Sequence, residues 1–154
     1  MIILSACLAG VNCKYNGGNN LHPSFKDLAE SGEVVLVCPE ELGGLAIPRS
    51  PCEITGGCGE DVLNGQARVI NKAGEDVSRY FVKGAQAVLE LARTHQADLA
   101  ILRRRSPSCG CGLIYDGSFT SALRSGDGVC TALLKQHGIK VISDDDYLDK
   151  GVKE

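Results

Sequence analysis

The chain has 154 residues, a length typical of one domain that buries a hydrophobic core without crosslinks. Its 16 basic and 19 acidic residues give a formal charge of −3, which argues against a dedicated nucleic-acid-binding surface, and a hydrophobic content of 44% excludes wholesale disorder. The anomaly is a set of eight cysteines. Because a chain of this size does not need cysteines to fold, chemistry is the better first explanation for some of them.

The N-terminal segment bears on the compartment. A signal peptide requires a positively charged residue before its apolar run, and none precedes Ile2. The apolar run is also too short to span a membrane. We therefore expect a cytoplasmic protein with no membrane partner. Thiols stay reduced in that compartment, so the cysteines point to metal binding or catalysis rather than to disulfide bonds.

Apolar runs and helical patterns alternate along the chain. In chain order the sequence predicts a strand at 2–6, a helix at 23–31, a strand at 33–37, a hairpin at 62–70 around Asn64-Gly65, a helix from Asp76 or Ser78, a strand at 98–102, a short segment at 113–116, a helix from Asp127 or Gly128 through Leu134, a strand at 139–143 and a last short helix capped by Asp144, Asp145 and Asp146. The first three of these strand runs are predominantly apolar, which predicts strands buried on both faces. This alternation predicts an α/β fold: an open, mostly parallel, Rossmann-like three-layer sheet with helices on both faces, in a single domain over residues 1–154.

Three cysteines follow three of the predicted strands. Cys7 comes directly after the first strand, Cys38 directly after the second, and Cys109 lies in the loop after the third. Ligands of such folds bind outside the carboxyl ends of the strands, so we expect these thiols at one edge of the sheet. A full ligand set for a [4Fe–4S] cluster is four thiolates, and a set of three would leave one iron open to a substrate. The alternative is that all three are buried packing residues.

The other five cysteines are less distinctive. Cys130 lies in an apolar helix and is expected to be a small buried hydrophobe. Cys13 is either a fourth thiol at the site or a packing residue of the first loop. Cys52, Cys58 and Cys111 lie in glycine-rich loops, either near the site or incidental to it. No pair has the C-x₂-C spacing of a zinc ribbon, which makes a structural zinc site a weak alternative.

Two charged residues follow Cys38. Glu40 is suited to activate water or to shuttle a proton beside a metal centre, and it is equally suited to the first turn of a helix. Arg49 lies on a stiff loop between two prolines, where it would either orient Glu53 or clamp a substrate carbonyl. A buried Arg49–Glu53 pair is the simpler expectation.

Two serines, Ser106 and Ser108, lie just before Cys109. Their hydroxyl groups are able to donate to a substrate ring or relay a proton, and they are equally able to cap a turn. The preceding basic run, 103–105, reads more simply as a solvated strand end than as a phosphate site.

Five segments resemble a known bacterial family in the same order. They are SACLAGVNCKYNG, VCPEELGGLAIPRSPCEI, DVSRYFVKGA, RSPSCGCGLIYDGSF and GDGVCTALLKQHGIKVIS. The chain resembles, over nearly its whole length, the family catalogued as domain of unknown function 523, which includes thiouracil desulfidases.

The resemblance implies a [4Fe–4S] cluster on Cys7, Cys38 and Cys109, the same three residues that the strand order groups. It also implies an acid/base role for Glu40 and a catalytic role for Ser106. From their own side-chain chemistry, Arg49 and Ser108 are expected to contact the substrate. The implied reaction is a non-redox desulfuration of a thiolated pyrimidine. In it, the substrate sulfur binds the open iron and a water oxygen replaces it.

The expected partner is a small thiobase or thionucleoside. Relatives that act on tRNA carry a second domain, which this sequence does not show, so tRNA is not expected. The alternative function is a non-catalytic metal-binding or redox-sensing module, for which the same thiols would serve.

Overall fold

A computed structural model of the chain describes residues 1–150; the last four residues of the predicted domain, 151–154, lie outside the described residues. In chain order the elements are β1 (Ile2–Ser5), a 3-10 turn (Ala6–Ala9), α1 (Pro23–Glu30), β2 (Val34–Val37), α2 (Pro39–Leu42), β3 (Cys52–Thr55), α3 (Gly59–Leu63), β4 (Arg68–Asn71), α4 (Ser78–Thr94), β5 (Leu99–Leu102), β6 (Leu113–Tyr115), β7 (Leu123–Ser125), α5 (Val129–Gln136), β8 (Lys140–Ser143) and α6 (Asp144–Lys150).

The four predicted strand runs form one parallel sheet in the order β2-β1-β5-β8. β1 lies inside the sheet, where Ile3 is level with Val35 on one neighbouring strand and with Ala100 on the other. Because every strand runs the same way, all four carboxyl ends meet at one edge. The predicted α/β class with an open parallel sheet is confirmed.

Side chains alternate between the two faces of this sheet. Ile3 and Leu102 pack in one core cluster with Phe81 of α4, whereas Leu4 packs on the opposite face with Phe25 of α1. Each face therefore has its own helical layer, as the sequence predicted. Within residues 1–150, no helix combines the length and the apolar character that crossing a membrane would need.

Two local predictions are wrong. Asn64-Gly65 does not form a hairpin: it terminates α3, with Asn64 as the C-cap and Gly65 at a φ of +78°. A glycine in the left-handed region serves a helix end as well as a hairpin turn, so the dipeptide alone does not distinguish the two. β4 pairs instead with the unpredicted β3, in an antiparallel hairpin.

The second error concerns β2, which was expected to be buried on both faces. β2 forms the edge of the sheet, and Leu36 is 41% exposed. An apolar run alone does not distinguish an edge strand from a central one.

α2 packs closely on α4 through two glycines. A Cβ atom on Gly84 would collide with the backbone oxygen of Pro39, and one on Gly43 would collide with the backbone oxygen of Tyr80. Only glycine permits this approach. The contact fixes the short helix that begins directly after Cys38.

Candidate active site

A cavity of about 450 Å³ lies at the carboxyl edge of the parallel sheet. The loops after β1, β2 and β5 form its floor, and Cys7, Cys38 and Cys109 all line it. The structure therefore brings together three thiols that are widely separated in sequence. The volume lies within the range of small-molecule sites.

Cys109 is the most enclosed of the three. The Ser5 hydroxyl donates to its sulfur at 3.7 Å, and the Ser108 oxygen, whose single proton goes to the Glu40 carboxylate, lies 3.6 Å from it. Burial raises the pKa of the Cys109 thiol to about 12, and the neighbouring Ser108 and Ser5 hydroxyl groups oppose that rise. In the protein alone this sulfur is therefore a thiol, with one donor already in place for a thiolate.

Cys13 is a fourth thiol at the cavity, the first of the two roles that the sequence left open. It is 2% exposed, and its backbone oxygen accepts from the Cys38 thiol at 3.6 Å. The neighbouring Cys13 thiol lowers the pKa of Cys7 and lowers that of Cys38 to about 7, while its closeness to both raises the pKa of Cys13. The Asn20 amide also donates to the Cys7 sulfur at 3.5 Å. Cys13 therefore favours the thiolate form of its two neighbours.

The remaining cysteines separate by position. Cys52 lines the cavity, and burial raises its pKa to about 12. Cys58 donates to Asp61, and Cys111 donates to the backbone oxygen of Val141; neither lines the cavity. Cys130 is fully buried in the core, as predicted.

No three His, Cys, Asp or Glu side chains among residues 1–150 converge on the position of a single metal ion. A cluster distributes its thiolates over separate irons, so its ligands need not meet at one point.

Glu40 is held by two partners on opposite sides. Its Oε1 accepts from Nε of Arg49 at 3.0 Å, and its Oε2 accepts from the Ser108 hydroxyl at 2.9 Å. Arg49 also donates to the backbone oxygens of Cys13 and Ala46. Because each of its three guanidinium nitrogens donates to an oxygen of the protein, Arg49 positions Glu40. The expected Arg49–Glu53 pair does not form.

The two serines have different surroundings. Ser108 is 1% exposed and joins Glu40 to its neighbour Ser106, whose hydroxyl lies 3.3 Å from that of Ser108. The Ser106 oxygen also accepts from the backbone N–H of Cys109 at 2.7 Å, and it lines the cavity. A continuous hydrogen-bonded path thus runs from Glu40 through Ser108 to Ser106. Sequence reasoning missed the Glu40–Ser108 bond, which joins residues 68 positions apart.

The basic run 103–105 is not simply a solvated strand end. Arg103 pairs with the buried carboxylate of Asp144 at 2.8 Å, and Arg104 contacts the same carboxylate through its backbone N–H and side chain. Asp144, expected only as a helix cap, therefore also holds this segment at the cavity wall.

Several further residues line the cavity, and the sequence predicted no role for them. They are Lys14, Tyr15, Asn20, Lys72, Tyr115, Phe119 and Ser121. They come from separate loops, and no spacing in the sequence connects them.

The comparisons with known proteins agree on one family. The family model of 2-thiouracil desulfurase matches residues 2–146. The chain belongs to this family. The family resemblance and the enzyme class predicted from the motifs are therefore confirmed.

Two individual proteins are similar over nearly the whole chain. The uncharacterized protein YbbK of Bacillus subtilis (strain 168) is 45% identical over 149 residues, covering 97% of this chain and 99% of YbbK. A solved structure of the [4Fe-4S]-dependent thiouracil desulfidase TudS superposes with a TM-score of 0.84 at 37% identity, covering 96% of this chain and 93% of that one.

Proposed function

We propose that this protein is a cytoplasmic [4Fe–4S]-dependent desulfidase that removes sulfur from a small thiolated pyrimidine, either a thiouracil-like base or a nucleoside. The observation that carries the proposal is the convergence of Cys7, Cys38 and Cys109 on one cavity that also contains the Glu40–Ser108 pair. The family membership and the similarity to TudS support it. All eight cysteines are free thiols, which suits a reducing compartment.

The donor set fits the cluster by its chemistry. Cysteine thiolates are the usual ligands of [4Fe–4S] clusters, and hydrogen bonds to the sulfurs tune such centres. Here Cys7 accepts from Asn20, and Cys109 accepts from Ser5. We assign Cys7, Cys38 and Cys109 as the ligands, a set that leaves one iron without a protein ligand. When bound, the cluster would supply a Lewis-acidic iron able to polarise a thiocarbonyl group.

Glu40 is the proposed general base. Arg49 and Ser108 each occupy one lone pair of the carboxylate, and further acceptor positions remain for a water molecule. Arg49 and Ser108 hold the group in one orientation, in which a free acceptor position is available to take a proton from attacking water. Its packing between Arg49 and Ser108 fixes the direction of that transfer.

The serine path is the proposed route for the proton. From Glu40 it reaches Ser108 at 2.9 Å and then Ser106, which lines the cavity. Ser106 is therefore placed to hold or protonate a ring nitrogen of the substrate. The overall reaction converts the thiobase and water into the oxygen base and sulfide, with no electrons gained or lost.

The test is a sulfide assay under anaerobic conditions. Holo-protein mixed with 2-thiouracil should release sulfide and form uracil, and protein stripped of iron should release none. A non-catalytic metal-binding or redox-sensing module would bind iron yet leave 2-thiouracil intact, and that result would overturn the proposal.

A further inference from the structure

Two carboxylates line the cavity, Glu40 and Glu53, and their surroundings differ. Both oxygens of Glu40 are bonded to protein groups. Glu53 lies on β3 and is 9% exposed; its Oε1 accepts from the backbone N–H groups of Gly117 at 3.0 Å and Phe119 at 3.2 Å. One oxygen of Glu53 therefore anchors the β6–β7 hairpin loop.

The other oxygen of Glu53 faces the cavity. Among residues 1–150, Oε2 has no protein hydrogen-bond partner, and every fully enclosed polar side-chain atom there is satisfied. Oε2 is therefore not enclosed by protein, and the open space next to Glu53 is the cavity. A carboxylate that is nine-tenths buried and half-paired needs a donor from outside the protein chain.

The anchored loop is built tightly against the cavity. A Cβ atom on Gly117, which has a φ of +94°, would lie 2.6 Å from the backbone oxygen of Ile54. Phe119 and Ser121 line the cavity with φ values of +57° and +64°. Left-handed backbone at a bulky residue is strained, and strain of this kind persists where a site requires it. Glu53 thus lies on a wall of the cavity where the β6–β7 loop packs closely against β3.

We infer that Glu53 is a specificity-determining residue whose Oε2 accepts a ring N–H of the substrate. This inference rests on the proposed function. A cyclic thioamide carries an N–H beside its C=S carbon, and a carboxylate oxygen only accepts hydrogen bonds. A site built on such a bond rejects an analogue that cannot make it, because the acceptor is then left buried and unpaired.

The test compares Glu53→Gln with the wild type. The glutamine oxygen retains the two backbone N–H groups, while its NH₂ group turns a donor toward the cavity. Glu90→Gln on the exposed face of α4 is the matched control. The probes are 2-thiouracil, 1-methyl-2-thiouracil and 3-methyl-2-thiouracil. Every protein in this comparison also carries Glu40→Gln, so that the probes are not turned over during the measurement. Their dissociation constants are measured by calorimetry on anaerobic holo-protein, with iron content and thermal unfolding recorded for each variant.

Wild-type protein should bind at least one N-methyl analogue about 10- to 100-fold more weakly than 2-thiouracil. Glu53→Gln should weaken 2-thiouracil binding by a similar factor and bring that ratio close to one, with iron content unchanged; Glu90→Gln should behave as wild type. A Glu53→Gln protein with wild-type ratios for both analogues would overturn the inference.

A wild-type protein that binds all three probes equally would also overturn it, whatever the stability of the variant. Failure of the proposed function has a different signature. In that case 2-thiouracil yields no sulfide, while the binding ratios still report on Glu53.

Discussion

Two groups of cysteines lie in the same small protein at similar burial. The edge cysteines are Cys7, Cys38 and Cys109. The far cysteines are Cys58, Cys111 and Cys130, which do not line the cavity. Cys109 and Cys130 are 5% and 0% exposed, so burial does not distinguish the groups. Both belong to one core cluster, but Cys109 lines the cavity and accepts from the Ser5 hydroxyl, whereas the Cys130 sulfur does not line the cavity and forms no hydrogen bond with residues 1–150.

This contrast supports the proposed ligand assignment through placement. Each edge cysteine follows the carboxyl end of a parallel strand, and Cys7 and Cys109 receive side-chain hydrogen bonds from Asn20 and Ser5. Donation by the thiol does not separate the groups, because Cys38 donates to the backbone oxygen of Cys13 as Cys111 donates to that of Val141. The position at the shared edge of the sheet is therefore the feature that distinguishes the edge cysteines.

The largest expected effect separates the two groups directly. Serine in place of Cys7, Cys38 or Cys109 removes a thiolate ligand, so each variant, prepared without oxygen, should lose iron at least about 10-fold relative to wild type. Cys130→Ala should keep its iron and lose only stability, because it leaves a small cavity in the core. Iron and acid-labile sulfide per chain are measured. Wild-type iron in all three serine variants would contradict the ligand assignment.

A second effect concerns the catalytic carboxylate rather than the ligands. Glu40→Gln removes the proposed base and leaves Arg49 without its anionic partner. We expect kcat for sulfide release to fall about 10²- to 10⁴-fold with iron content unchanged. Glu41→Gln, at the adjacent exposed position of α2, is the control and should retain wild-type turnover. Equal turnover in the two variants would remove Glu40 from the mechanism.

A smaller effect is expected at Cys13. Cys13→Ala removes the thiol that lowers the pKa of Cys7 and Cys38, but it removes no proposed ligand. Loss of such supporting contacts typically weakens metal affinity about 10- to 100-fold. The rate of iron loss to a chelator should therefore rise, while freshly prepared protein still carries iron. Cys58→Ala should lose iron at the wild-type rate, and equal rates for both variants would show that Cys13 is only a packing residue.

Much of the framework was predictable because it depends on local patterns. Apolar runs located the four parallel strands, and the apolar positions of α4 are buried as their spacing predicted. The carboxyl ends of parallel strands meet at one edge of the sheet, so the sequence alone predicts that Cys7, Cys38 and Cys109 lie together.

The contacts of the site were not predictable in the same way. Arg49 was expected to pair with Glu53, four positions away, and it pairs with Glu40 instead. Ser108 bonds a carboxylate 68 positions earlier, because α2 and the loop after β5 meet only in the folded chain. Asn64-Gly65 suits two turn types, and the neighbouring helix decided between them. Pairings between loops depend on packing, which no short sequence pattern records.

The most direct test of the central claim is one anaerobic sulfide assay with 2-thiouracil on three proteins: wild type, Cys130→Ala and Cys38→Ser. The account predicts that wild type and Cys130→Ala release sulfide and uracil in equal amounts over many turnovers, and that Cys38→Ser releases neither. Wild-type protein with a full complement of iron that leaves 2-thiouracil unchanged would contradict the account, as would undiminished turnover by Cys38→Ser.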